Sequence, residues 1–352
     1  MRPDAVDLKP PDMTSAIPLP LLITGVAGVA GYNAFRYFAA KYPDQVIATR
    51  RKDNWPLQGP NIEPCDADDR TTLARLFDRY GFRSVLNGEG TCKLKSCELA
   101  PENAHRINVE SAHALLSVLS PDTRLVTLSI DLVYSGVRDG GYREEDAPDP
   151  VTVYGRTMVE AEAIFLRERP DTCILRISLP MGVSFNGHAG AMDWIQSRFK
   201  KNLPATLYYD EVRTPAYTDC LNRVFETMLG NRMSGLYHAG GPRPLSLYQI
   251  AQIVNRVGGY DPVLLMGCMR HEAGPVPPRA GNVAMVSDKL IHALGYAPFA
   301  PWPADPIFAP THPQWHQERA TCVTGSPALL AKTLYQNPRL AEKDLSWLPP
   351  VP

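Results

Sequence analysis

The strongest constraint on the fold is a glycine-rich turn wedged between an apolar run and a helix-patterned stretch. Leu19 to Thr24 is apolar and Val29 to Lys41 carries helical periodicity. Between them runs Thr24-Gly25-Val26-Ala27-Gly28-Val29-Ala30-Gly31. Gly25 permits a tight turn, Gly28 lets backbone approach a pyrophosphate, and Gly31 allows a helix to press close against a sheet. The helix that follows would aim free N–H groups and a partial positive charge at phosphate oxygens. Gly25, Ala27, Gly28, Val29 and Gly31 are therefore candidate contacts to a dinucleotide.

The segments that follow alternate in the same way. Strand-like runs at Gln45–Thr49, Ser84–Asn87, Arg124–Ile130 and Thr172–Ile177 are separated by helix-like stretches at 71–80, 98–119 and 154–169. Strands spaced by helices of that length make a parallel sheet covered on both faces, with right-handed crossovers. The expected architecture is α/β: a doubly wound parallel (Rossmann) sheet over 19–180, then a smaller α/β lobe over 181–302 that would hold substrate. The chain is free to cross back between the two. Residues 1–18 and 303–352 are proline-rich extensions, the latter expected to wrap over the second lobe with a short helix near Ala328 to Leu334.

Composition narrows the function classes. The 36 basic and 37 acidic side chains of this 352-residue chain nearly cancel, which argues against a nucleic-acid partner. No apolar run is long enough for a membrane span. Seven scattered cysteines do not form a disulfide framework, and Cys92 and Cys97 lack a His or Cys at metal-binding distance, so no metal is expected. A soluble, cytoplasmic protein with a small-molecule substrate is the resulting expectation.

Cofactor choice is read at the end of the second strand. An acidic residue there would grip the ribose of NAD(H); the sequence instead gives Arg50-Arg51-Lys52. Guanidinium groups suit a 2′-phosphate, so NADP(H) is expected over NAD(H). Asp66 or Asp68 is a candidate acceptor for an adenine amino group, or else a plain loop carboxylate. Asn87 and Gly88, at the end of another strand, complete the cofactor set. Glu89 beside them is either a substitute acid/base near the nicotinamide or a carboxylate turned to solvent.

With these residues in place the chain resembles the extended short-chain dehydrogenase/reductase family, most of all its dTDP-4-dehydrorhamnose reductase-like branch. The resemblance runs from about Leu21 to Trp302. It rests on the glycine turn, on Val85-Leu86-Asn87-Gly88, on Glu98 through Asn108, on Ser129-Ile130-Asp131-Leu132-Val133-Tyr134-Ser135-Gly136, on Tyr154-Gly155-Arg156, on Arg176, on Arg213-Thr214-Pro215, on Gly235-Leu236-Tyr237-His238, and on Pro278-Arg279 ahead of Ser287-Asp288-Lys289-Leu290. It implies hydride transfer between a nicotinamide and a sugar carbon, with a Ser or Thr binding the reacting oxygen and a Tyr moving the proton. It implies a Lys four residues after that Tyr to hold the nicotinamide ribose and lower the tyrosine pKa. By resemblance, Tyr134, Asp210, Arg213 and Arg279 are candidate contacts to a nucleotide-sugar-like substrate, and a homodimer is admitted.

Two of the three catalytic positions are altered. Tyr154 is present, but Met158 stands where the Lys belongs and Ile130 where the Ser or Thr belongs. Ser129 and Asp131 flank Ile130, yet strand neighbours point to opposite faces, so they replace it only at a bulged strand end. An unassisted tyrosine, with a pKa near ~10, is a poor base at neutral pH and still a possible acid. The sequence therefore predicts an NADP(H)-dependent reductase of a nucleotide-linked keto-sugar or related carbonyl with a degenerate site. Its alternative is a catalytically silent NADP-binding sensor or regulatory subunit on the same fold.

Overall fold

A computed structural model describes residues 16–187, 190–318 and 324–335. The chain opens with β1 (Leu21–Thr24), β2 (Val46–Arg50), β3 (Ile62–Pro64), β4 (Ser84–Asn87), β5 (Arg124–Ile130) and β6 (Cys173–Ile177). It then leaves the sheet through the short strands β7 (Pro180–Met181), β8 (Ala205–Tyr208), β9 (Val212–Arg213) and β10 (Ala216–Tyr217). It returns as β11 (Gly235–Ala239) and ends in β12 (Leu245–Ser246) and β13 (Leu265–Cys268). The central seven-stranded sheet has the order β11-β6-β5-β4-β1-β2-β3, and every pairing in it is parallel. The order reverses between β1 and β4, the crevice where such sheets bind their ligands.

The helices follow from the pattern. α1 (Val29–Lys41) joins β1 to β2, α2 (Arg70–Tyr80) joins β3 to β4, and α6 (Val153–Glu168) joins β5 to β6. α2 is bounded by Asp69, whose carboxylate accepts from the Thr72 N–H, and by Gly81. The expected helix over 98–119 is broken into α3 (Leu94–Leu99), α4 (Pro101–His105), a π-helical turn (Arg106–Glu110) and α5 (Ser111–Leu116). Pro101 accounts for the first break, since proline has no N–H to continue a helix and takes the first-turn position instead. The very short strand β3 lies in the stretch ahead of Asp66, where the sequence pattern shows no strand.

Alternation along the strands builds two apolar layers. Leu21, Ile23, Ala48, Leu86 and Val126 meet Ala34 and Phe38 of α1 and Val224 and Phe225 of α8 (Thr218–Leu229) on one face. Leu22, Ile47, Val85 and Leu125 meet Leu73, Leu115 and Ile164 on the other. Thus α8 and β11, which fall numerically within the expected second lobe, belong to the central layers. The seam is closed by Arg124 at the start of β5, whose buried guanidinium donates to the carbonyl oxygens of Met228, Met233 and Asp171.

The remaining elements form the second lobe around α9 (Leu247–Val257), with β7 paired to β10, β9 to β12 and β8 to β13. α7 (Ala191–Lys200) packs against α9, and α10 (Asp288–Leu294) packs against β11. The described residues from Trp302 to Tyr335 include a turn at Trp315–Gln317 and α11 (Pro327–Tyr335), both packed on α9. Arg256 donates to the Trp315 carbonyl and caps the indole face at 4.1 Å. The Trp302 indole donates to the Leu334 carbonyl at the end of α11 (Pro327–Tyr335). Most of the N-terminal extension, Cys322 and the tail from 336 fall outside the described residues. Among the described residues no helix is long and apolar enough to cross a membrane.

Candidate active site

The glycine turn sits at the carboxyl end of β1. Gly25 has φ +68°, and a Cβ there would lie 2.1 Å from the Gly88 carbonyl oxygen. A Cβ on Gly31 would lie 2.5 Å from the Gly25 oxygen. Both positions are closed to any larger residue, because backbone itself is the obstacle. Thr24 Oγ1 donates to Asn87 Oδ1 at 2.6 Å and accepts from the Gly88 N–H, while Asn87 Nδ2 donates to Thr127. Asn87 is therefore a staple across β1, β4 and β5. Gly28, the exposed N-cap of α1, supplies no side-chain acceptor, which leaves the first N–H groups of the helix facing the crevice. Ala27 and Val29 flank it, both partly exposed.

At the end of β2, Arg50 folds over its own loop and donates to the Arg51 and Lys52 carbonyls. Arg51 is exposed and pairs with Asp53. Lys52 pairs with Asp69 at 2.6 Å, which holds that carboxyl well below its usual range. Asp66 accepts from the Lys52 backbone N–H at 3.0 Å. Asp68 is committed to Arg106 through both carboxylate oxygens. Asp66 faces a small cavity shared with Thr24, Thr49, Cys65, Asn87 and Glu89. Glu89 thus shares a cavity with Asp66 at the ends of the strands. Burial pushes its carboxyl up to about 7, against the pull of the Gly25 N–H and Arg51.

The candidate catalytic end is built on β5 and α6. Thr152 caps α6 by accepting from the Gly155 N–H, and a Cβ on Gly155 would lie 2.2 Å from the Leu132 oxygen, so the first turn of α6 is pressed against the end of β5. Tyr154, Met158 and Ile130 come together in one apolar cluster with Cys97, Leu132 and Val133. Burial raises the Tyr154 pKa; Cys92 and Asp131 push the same way, and Arg213 opposes them. Arg213 is the cation facing Tyr154, but it is spent on Asp131, with Nε to Oδ2 at 2.7 Å and a second contact from Nη2. Asp131 is wholly buried and also accepts from Ser178. Tyr154 is accordingly held as a neutral phenol.

The other altered-site candidates point elsewhere. Ser129 donates to Glu162, which forms a buried bidentate pair with Arg176. Neither Ser129 nor Asp131 offers the reacting-oxygen donor that Ile130 lacks, because each is already engaged inside the protein. Asn108, on the π-helical turn, accepts from the Thr91 N–H at 2.7 Å and donates to Thr157 at 2.8 Å. It ties the Gly88–Thr91 loop to α6. Asn108 ends the Glu98–Asn108 stretch that carries the resemblance, but the π turn that aims it has no local sequence signal.

Of the substrate candidates, two turn inward. Tyr134 is fully buried, stacked on Tyr142, and bonded to Arg176, His238 and the Arg143 carbonyl. Arg213 is buried on Asp131, as described. Two stay at the surface of the second lobe. Asp210 accepts from the backbone and side chain of Arg270, and Arg279 lies over the Tyr208 ring, 3.6 Å from Glu211. Glu211 is buried and its Oε2 has no hydrogen-bond partner; burial raises its pKa.

A parallel sheet with this strand order, a glycine cradle at its switch point and a tyrosine at the start of α6 define a protein of the extended short-chain dehydrogenase/reductase class. Within that class the chain belongs to the family described as the RmlD substrate binding domain, whose model matches residues 19–305. It is 24% identical to the dTDP-4-dehydrorhamnose reductase of Mycolicibacterium smegmatis, over 80% of this chain and 82% of the relative. It is 21% identical to methionine adenosyltransferase 2 subunit beta of Danio rerio, over 77% and 83%. The crystal structure of the Bacillus anthracis dTDP-4-dehydrorhamnose reductase in complex with NADP superposes with a TM-score of 0.66 at 18% identity, covering 80% of this chain and 95% of that one.

Proposed function

We propose that the protein is an NADP(H)-dependent reductase of a nucleotide-linked keto-sugar or a related carbonyl, confined to the reducing direction. The observation that carries this is the state of Tyr154: a buried, neutral phenol at the start of α6 whose facing cation, Arg213, is paired with Asp131. Such a group gives up a proton to a developing alkoxide far more readily than it takes one from an alcohol. The chain's own residues fit the cofactor at its phosphate end, where the Gly25 cradle would be filled by any Cβ and Arg50 and Arg51 stand at the end of β2. When bound, NADP(H) supplies the hydride. Around it, the turn and the α1 N-terminus would hold the diphosphate, Arg50 and Arg51 the 2′-phosphate, and Asp66 the adenine amino group. Arg279 and Arg270 would meet the anionic part of the substrate.

The reaction is measured by following NADPH absorbance with a panel of nucleotide keto-sugars. Native protein should oxidise NADPH slowly, and Tyr154→Phe should lower that rate by about 10²–10⁴-fold while leaving NADPH affinity unchanged.

One observation favours a second reading, a silent NADP-binding subunit. Ile130 and Met158 leave Tyr154 in an apolar cluster without a second oxygen donor, and a relative of similar coverage is named as a subunit of another enzyme. NADPH binding with no turnover across the panel, and no effect of Tyr154→Phe, would select that reading.

A further inference from the structure

The cavity between the ends of β2, β3 and β4 is where a dinucleotide bound over the Gly25 turn must place its adenine. It is almost full. About 10 Å³ remains among Thr24, Thr49, Asp66, Asn87 and Glu89, whereas a single water needs about 10–15 Å³. Glu89 is one of the side chains that line it, beside Cys65, Asp66, Leu73 and Ser111, and its carboxylate accepts from the Gly25 N–H of the glycine turn. Its own backbone is fixed, because Gly88 and Glu89 lie against Gly25 so closely that no Cβ fits between them.

The charges around this carboxyl are mixed. Arg51 at the end of β2 attracts it, and so does the Gly25 N–H; Asp66 and Asp68 after β3 repel it. Lys52 and Arg106, which might compensate, are committed to Asp69 and Asp68. The Cys65 thiol lines the same space and is itself raised by burial. An ionised Glu89 would thus face two other carboxylates and an arriving pyrophosphate. A protonated one can turn aside and donate to the ligand.

Resting on the cofactor reading above, we propose that Glu89 is a proton-operated stopper of the adenosine slot, so that the chain takes up a proton when it binds NADP(H) and loses affinity as pH rises through neutrality. If only the protonated carboxyl admits the base, a free-state pKa of about 7 makes binding about tenfold weaker at pH 8 than at pH 6.

The test is NADPH titration by fluorescence at pH 6 and pH 8, with calorimetry at pH 8 in two buffers of different ionisation enthalpy. It uses the native protein, Glu89→Gln and Glu89→Ala. The native protein should lose about tenfold in affinity between the two pH values and take up close to one proton at pH 8. Glu89→Gln should abolish the uptake, keep only the weaker slope due to the ligand's 2′-phosphate, and bind about tenfold more tightly than native at pH 8. Glu89→Ala, which empties the slot, should match it. A common pH slope in all three proteins would overturn the stopper and leave the cofactor reading standing. Failure of all three to bind NADPH at either pH would overturn both.

Discussion

The two ends of the crevice are built from different materials. The phosphate end is backbone: Gly25 and Gly31 press backbone against backbone at distances that admit no side chain. The end that carries Tyr154 is side chain: Ile130 and Met158 pack into an apolar cluster around it. The contrast teaches why the frame outlasts the chemistry. A change at the first end breaks the fold locally, while a change at the second costs only what the lost group did.

The sharpest way to break this comparison is at Gly25. Gly25→Ala forces a Cβ onto the Gly88 oxygen at positive φ, and should destabilise the protein by about 2–4 kcal/mol and weaken NADPH binding more than about 100-fold. Thermal melting and fluorescence titration read both effects; an Ala variant that melts and binds like native would show that the turn is not rigid.

The next prediction rebuilds the other end. Ile130→Thr with Met158→Lys should raise NADPH turnover about 10²-fold, since a positioned oxygen donor alone is worth about that much. The alkaline limb should move toward neutrality as the ammonium favours the tyrosinate. Met158 is 7% exposed, so the variant should also melt at a lower temperature, an unpaired ammonium there being costly. No gain in rate from a folded, NADPH-binding double variant would mean that the damage extends beyond these two groups.

The smallest effect is expected at the rim, where charges are solvated. Arg50→Ala with Arg51→Ala should weaken NADPH by about tenfold and leave NADH nearly unchanged, because a 2′-phosphate contact at an exposed site is partly screened. Equal losses for the two cofactors would remove the basis for NADP(H) preference.

The legibility of the sequence divides along the same line. The first crossover was fully readable, with α1 at the expected Val29–Lys41, because periodicity and glycine placement are local signals. β3 was not, since Ile62–Pro64 is too short for any period to register. At the site, the loss of the Ser/Thr and Lys groups could be read directly, but the direction of charged side chains could not. Arg213 reads as a ligand arginine and is buried on Asp131, 82 positions away. Glu89 reads as a loop acid and instead lines a cavity with Asp66, its carboxylate against the Gly25 N–H. A residue's charge is written in the sequence; whether it faces inward depends on contacts across the fold.

Arg124 carries a consequence for how this chain is made. Its guanidinium, in the interior from the start of β5, finds acceptors at Met228 and Met233, more than a hundred positions later, and β6 is covered by β11 only once Gly235–Ala239 exists. During synthesis the first six strands therefore emerge with a buried-type cation short of partners and an open flank. A chain stopped near residue 180 would end with both defects in place. The central sheet is completed by residues that follow the excursion into the second lobe, so the ribosome must deliver both before either can be finished.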